Sequence, residues 1–132
     1  MRYLLDTHTL IWATSDRTRI PKSTLKVLSD PVNPMYVSVI SFWEISLKFK
    51  LGKIHLEKVT PDDFLVLSKD SGFTILGITP EEACSYYKLP LKKHRDPFDR
   101  MLIWQSLQNN LTLISKDRGL EEYSNLGLKR IW

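Results

Sequence analysis

The sequence predicts an α/β protein with a central, mainly parallel sheet of four to five strands. Short apolar runs that suit buried strands alternate along the chain with longer segments that carry helix start and stop signals. Parallel strands need crossover connections, so this alternation also predicts helices on both faces of the sheet, in a three-layer α/β/α arrangement. The 132 residues contain no repeat or long linker and 42% are hydrophobic, which predicts a single domain, residues 1–132.

The first half of the chain is expected to contain two strands and three helices. Pro21 suits the first turn of a helix, where its missing N–H costs nothing. Ser41 precedes Glu44 by three residues, which is the spacing of a capping box. The predicted elements are a strand at 2–5, a helix at 7–14, a helix from Pro21 to Asp30, a strand at 35–39 and a helix from Ser41 to Lys50.

The second half is expected to add three helices and three strands. Thr60, Thr79 and Asp96 each precede a proline, a combination typical of an N-cap and the first helical turn. The predicted elements are a helix from Thr60 to Gly72, a strand at 73–76, a helix from Thr79 to Lys88, an apolar helix from Asp96 to Gln108, a strand at 111–115 and an edge strand at 128–132.

Four acidic residues lie beside the most apolar parts of the chain. Asp6 ends the first predicted strand and Asp117 follows the fourth, so both belong at the carboxyl rim of the sheet, where sites in open α/β sheets lie. Glu44 and Asp99 fall in the first turns of helices that start from this rim. Buried carboxylates are costly unless a cation or hydrogen bonds compensate them. The sequence therefore predicts that the four acids share one cleft.

A cluster of carboxylate oxygens selects a hard cation, Mg²⁺ or Mn²⁺, over zinc or copper. Magnesium leaves coordination positions open for substrate phosphate, which suits hydrolysis of phosphodiester bonds. The net charge of +4, with 19 basic against 15 acidic residues, would become more positive over the remaining surface if cations bound the four acids. Such a surface attracts nucleic acid. Two basic clusters fit this interpretation or a merely solvated face: Lys48, Lys50, Lys53 and Lys58, and Lys88, Lys92, Lys93 and Arg95.

Each acid also has a purely structural interpretation. Asp6 can cap the following helix, and Glu44 can pair with Lys48 one turn later. Asp117 can form an Asx turn. Asp96, directly before a proline, is better interpreted as a helix N-cap than as a fifth site residue.

The histidines and tryptophans carry weaker signals. His8 and His94 can contact a phosphate or lie on a polar surface, whereas His55 is expected in a loop. Trp12, Trp43 and Trp104 are expected to pack in the core rather than stack on bases.

The chain has no segment apolar enough to span a membrane and no signal-type start, which favours a cytoplasmic protein. Its single cysteine, Cys84, cannot form an internal disulfide and is expected to be a small buried residue.

Four segments together resemble the PIN domain of VapC-type toxins. They are Leu4–His8, Val37–Ile45, His94–Ile103 and Leu113–Asp117, and the third, His-Arg-Asp-Pro-Phe-Asp-Arg-Met-Leu-Ile, is the most specific. The resemblance covers essentially the whole chain. It implies a PIN-like fold and an endoribonuclease that depends on Mg²⁺ or Mn²⁺ and acts as the toxin of a type II toxin–antitoxin system.

The resemblance also assigns residues and partners. It implies that the acidic site holds the metal and that two hydroxyl groups support it: Asp6, Glu44, Asp99 and Asp117, with Thr7 and Ser115. Asp6 and Asp99 match best, then Asp117, then Glu44. The implied partners are an RNA substrate, a second copy of the chain and a small antitoxin whose tail enters the cleft.

Two other functions share part of this pattern. A phosphoacceptor receiver domain needs an acidic pair after its first strand, which Asp6 and Thr7 do not supply, and a phosphatase of the Asp-x-Asp type fails because position 8 is histidine. The remaining alternative is a non-catalytic PIN-like module that binds RNA or protein.

Overall fold

The computed structural model describes residues 1–132 and contains one five-stranded sheet in the order β3-β2-β1-β4-β5. All four strand pairs are parallel, which confirms the predicted parallel sheet. The strands are β1 (Tyr3–Leu5), β2 (Met35–Ser38), β3 (Thr74–Leu76), β4 (Thr112–Ile114) and β5 (Lys129–Ile131).

Six α-helices connect or follow these strands, each close to its predicted position. They are α1 (Thr7–Ser15), α2 (Lys22–Ser29), α3 (Val39–Lys50), α4 (Asp63–Asp70), α5 (Pro80–Ser85) and α6 (Pro97–Asn109). Three 3₁₀ segments, Arg17–Arg19, Tyr86–Lys88 and Arg118–Leu126, complete the chain. None of the helices has the length and apolar character needed to cross a membrane.

The sheet separates two hydrophobic cores, as the three-layer prediction requires. Successive side chains of a strand point to opposite faces, so Tyr3 and Leu5 enter one core while Leu4 enters the other. The first core includes residues of α1, α2 and α4, and the second is built mainly by α6 and the segment Arg118–Leu126.

The strand order creates a crevice at the carboxyl end of β1. From this central strand the sheet extends to β2 and β3 on one side and to β4 and β5 on the other. The first residue after β1, Asp6, donates its backbone N–H to the carbonyl of Ile114 at the end of β4 (3.1 Å). The two strands that precede Asp6 and Asp117 therefore end side by side.

Two helices begin differently from the prediction. Ser38, not Ser41, caps α3, because its hydroxyl accepts the N–H of Ile40 (3.1 Å). Glu44 therefore lies in the second turn of α3, and the predicted capping box is wrong. Thr60 does not cap α4, which starts at Asp63.

Two side chains expected in the core are exposed. Trp43 is 61% exposed, because α3 buries the opposite side that carries Ile40, Glu44 and Ile45. Cys84 is exposed on the short helix α5, of which only Glu82 is buried. These two packing predictions were wrong.

Candidate active site

Asp6 is a buried carboxylate that also caps a helix. One of its oxygens accepts the N–H of Thr9 (2.8 Å) at the start of α1, and the residue is 8% exposed. Burial raises the pKa of Asp6, although hydrogen bonds from Ser115 and Thr9 favour the ionised form. The capping interpretation accounts for only part of the hydrogen-bonding capacity of this side chain, since a carboxylate has two oxygens.

Glu44 is held from two sides by protein donors. The hydroxyl of Thr7 donates to one of its oxygens (2.6 Å), and the Lys48 ammonium pairs with the other. Glu44 is only 3% exposed, so this compensation is what makes its burial tolerable. The hydroxyl of Ser41, which does not cap α3, lies 3.1 Å from that of Thr7.

Asp96 and Asp99 have different roles at the start of α6. Asp96 caps the helix, because one of its oxygens accepts the N–H groups of Phe98 (2.9 Å) and Asp99 (3.1 Å). Burial, together with the nearby charges of Asp96, Asp6 and Glu44, raises the pKa of Asp99 to about 6, although the hydrogen bond with His94 opposes this rise. Asp6 and Glu44 are therefore near enough to Asp99 for their charges to act on its carboxyl group.

Asp117 closes the other side of this space. Its N–H donates to the Ser115 hydroxyl (3.1 Å), and its carboxylate accepts the N–H of Gly119 (2.8 Å), which is the anticipated Asx turn. The side chain is 44% exposed, the most open of the four acids. Its second oxygen lies 3.5 Å from Nδ1 of His94.

His94 links Asp117 to Asp99. Its Nε2 lies 2.8 Å from Asp99, so one ring contacts both acids, and ligand atoms of the three residues lie within 4.8 Å of one another. The sequence signal for this role was the position of His94 at the head of the most specific motif. The motif alone did not distinguish a site residue from polar surface.

The backbone of His94 is fixed by the segment Arg118–Leu126. Its N–H donates to Glu122 (2.8 Å), and its carbonyl accepts the hydroxyl of Tyr123 (3.2 Å). Tyr123 in turn accepts a hydrogen bond from the buried Arg100 guanidinium (2.8 Å). These hydrogen bonds fix the backbone position from which the imidazole extends.

The residues present fit a hard divalent cation. Besides burial, the charges of Asp96, Asp6 and Glu44 raise the pKa of Asp99, which a bound cation would offset. In the group of His94, Asp99 and Asp117, two of the three residues offer carboxylate oxygens. Ligand atoms of His94, Asp99 and Asp117 form one group within 4.8 Å, which does not include Asp6. Protein donors occupy both oxygens of Glu44.

Solved structures of other proteins share this fold. One chain of VapBC2 from Rickettsia felis, bound to a promoter DNA fragment, matches with a TM-score of 0.70 at 17% identity, covering 99% of this chain and 98% of that chain. A chain of DNA-bound VapBC from Salmonella typhimurium matches with a TM-score of 0.64 at 16% identity, covering 99% of this chain and 97% of that chain. A chain of VapBC-1 from nontypeable Haemophilus influenzae matches with a TM-score of 0.63 at 19% identity, covering 99% of this chain and 97% of that chain.

No curated protein matches the chain in a sequence search. The family model described as PIN domain matches residues 3–126, which include all four acids and both hydroxyl residues. The PIN-like fold predicted from sequence is therefore confirmed, and the protein belongs to the PIN domain family.

Proposed function

We propose that this PIN domain is the toxin of a type II toxin–antitoxin system and acts in the cytoplasm as a metal-dependent endoribonuclease. Its cofactor would be Mg²⁺, with Mn²⁺ as a substitute, and its reaction the hydrolysis of RNA phosphodiester bonds. The observation that carries the proposal is the convergence of Asp6, Glu44 and Asp99 at the carboxyl rim, with Asp117 joined to Asp99 through His94.

The chain's own residues divide the work of such a reaction. A bound divalent cation supplies an activated water molecule and neutralises charge on the phosphate. Asp6, Asp99 and Asp117 would hold that ion, and the hydroxyl of Ser115 orients the loop that carries Asp117. Thr7 fixes Glu44 toward the cleft.

Protonation of Asp99 limits the working range. In the metal-free protein the pKa of Asp99 is about 6, so in mildly acidic solution a proton competes with the ion for this carboxylate. Cleavage should therefore weaken below this pH.

An apolar stripe on α3 supports an antitoxin partner. Trp43 and Leu47 of α3 and Leu51, the residue that caps its C-terminus, follow at intervals of four residues and are 61%, 39% and 57% exposed, which is unusual for large apolar side chains in one row. The ring of Trp43 packs against that of Phe98, the neighbour of Asp99, with the two ring centroids 5.2 Å apart. We propose that an antitoxin helix covers this stripe, and that the segment following it reaches the acidic cleft of a toxin homodimer.

Cleavage assays test the catalytic proposal. The purified protein should cut RNA with Mg²⁺ or Mn²⁺ and stop when EDTA is added. Asp6→Asn and Asp99→Asn should each reduce the rate at least about 100-fold, since each removes a ligand charge. The exposed Asp70→Asn is the matched control and should cut normally.

Circular dichroism and thermal unfolding should show that both variants remain folded. Cleavage that survives both substitutions would refute the proposal. RNA binding without any metal-dependent cleavage would favour the non-catalytic PIN-like module instead.

A further inference from the structure

An open groove of about 700 Å³ lies between α1 and the segment 53–59 that follows α3. His8 and Trp12 of α1 line it together with Arg19, and the segment contributes basic or imidazole side chains, namely Lys53, His55 and Lys58. The acidic site uses none of these six residues. We call this region the Trp12 groove.

Trp12 sits in the groove as a fixed aromatic surface. Its indole is half-buried and packs against the core, with the Trp132 ring at 5.7 Å. The His8 ring lies 5.7 Å away, and the Arg19 guanidinium and the Lys116 ammonium lie 5.9 and 5.8 Å from the ring centroid. An aromatic ring with several cations around it suits a stacked nucleobase and its phosphates.

The charge of the groove favours an anion. Its lining carries three cationic side chains against two acidic ones, Asp16 and Glu57, and Lys116 adds a fourth cation beside Trp12. Asp16 is already engaged by the N–H and hydroxyl of Thr18 and by Arg19. Because Arg19 and Asp16 offset each other, phosphate groups would meet Lys53, Lys58 and Lys116 against the single acid Glu57.

One wall of the groove is α1, the helix that begins directly after Asp6. His8 lies two residues after Asp6 and acts electrostatically on its carboxyl group, and Lys116 directly precedes Asp117. A strand with one phosphate at the acids would thus place an adjacent nucleotide beside Trp12.

We propose that the Trp12 groove binds a nucleotide of single-stranded RNA next to the cleaved bond, an inference that rests on the proposed function for its substrate. The base stacks on Trp12, and the backbone phosphates contact Arg19, Lys53 and Lys58. A duplex keeps its bases stacked inside the helix and cannot offer one to Trp12, so the groove selects single strands.

Binding of a fluorescein-labelled 12-nucleotide single-stranded RNA of mixed sequence tests the proposal. An Asp99→Asn background with Mg²⁺ prevents cleavage during the measurement by fluorescence anisotropy. Adding Trp12→Leu should raise Kd about tenfold through lost stacking, whereas Trp12→Phe should stay near the parent value.

A second variant tests the contribution of the cationic side chains to RNA binding. Arg19→Gln with Lys53→Gln should reduce the slope of log K against log salt by about 1.4, because two phosphate contacts are lost. Lys26→Gln, which removes an exposed charge on α2, is the control and should leave the slope nearly unchanged.

An unchanged Kd for a folded Trp12→Leu variant would overturn the proposal. So would an equal loss in Trp12→Phe, or an equal effect on a duplex of the same length. A variant that keeps RNA affinity but loses antitoxin binding would assign the groove to a protein.

The proposed catalytic function is tested separately by cleavage with the unsubstituted protein. Trp12-dependent binding without cleavage would refute catalysis and retain the groove. Cleavage with RNA affinity insensitive to Trp12 would refute the groove alone.

Discussion

Asp99 is the residue at which the acidic site is joined. The charges of Asp6 and Glu44 act on its carboxyl group. Its side chain is hydrogen-bonded to His94, and the same imidazole lies 3.5 Å from Asp117. Sequence reasoning singled out all four acids because each stands out beside an apolar run, and their shared role stays a prediction. It left His94 as either a phosphate contact or polar surface, since its contact with two carboxylates depends on how the loop before α6 folds.

Asp99 should make the metal-free protein less stable as pH rises. Its pKa of about 6 in the fold exceeds its ordinary value of 3.8, so folding favours the protonated form. The stabilising contribution is complete below pH 3.8 and is lost as pH rises through about 6, a change of about 2–3 kcal/mol.

The comparison with Asp99→Asn isolates this effect, because the amide does not titrate. In EDTA, the unsubstituted protein should lose about 2–3 kcal/mol of unfolding free energy, relative to the variant, when pH rises from about 4 to about 7. Urea unfolding at several pH values measures it. A difference that does not vary with pH would contradict the interpretation.

His94→Ala should weaken metal-dependent cleavage by about 10- to 100-fold, as is typical when a residue that orients ligands is lost. The Mg²⁺ concentration for half-maximal rate should rise accordingly. His94→Gln, which can still reach Asp99 with its amide, should retain more activity than His94→Ala. Equal rates for all three proteins would remove His94 from the site.

At the scale of elements, the start of α6 is tied to the loop before it. Arg100 donates hydrogen bonds to the hydroxyls of Tyr86 and Tyr123 and to the carbonyls of Leu89 and Pro90. The strands and helices themselves were readable from apolar runs and caps. The start of α3 was misread because Ser41 and Glu44 reproduce a capping-box spacing, while the true cap, Ser38, looks like the end of a strand.

Arg100→Lys should destabilise the protein by about 2–4 kcal/mol, because one ammonium group cannot satisfy four acceptors spread around a planar guanidinium. Urea unfolding gives the value, and Arg95→Lys, at an exposed neighbour, should change it by less than about 0.5 kcal/mol. A variant as stable as the unsubstituted protein would show that the four hydrogen bonds contribute little.

At the scale of the whole molecule, different surfaces surround one cleft. The apolar stripe lies on α3, the helix that carries Glu44, and the basic, aromatic Trp12 groove lies along α1, the helix that follows Asp6. Sheet topology made the position of the cleft predictable, since the rim follows from strand order. The exposure of Trp43 was not predictable, because an apolar residue in a helix reads as core until its neighbours are known.

Trp43→Ser with Leu47→Ser should weaken antitoxin binding at least about tenfold, since each substitution removes a large apolar contact. Calorimetry with the product of the neighbouring reading frame measures this. RNA cleavage by the free toxin should persist. Leu65→Ser with Val66→Ser, at exposed positions of α4, is the control; a larger loss there would place the antitoxin on α4.

The order of residues along the chain has a consequence for synthesis. Asp6, Glu44 and Asp99 are made before Ser115 and Asp117, and the two residues that anchor the His94 backbone, Glu122 and Tyr123, come later still. A ribosome that carries this chain therefore displays an incomplete cleft for most of translation. The proposed ribonuclease site is therefore complete only after nearly all of the polypeptide has emerged.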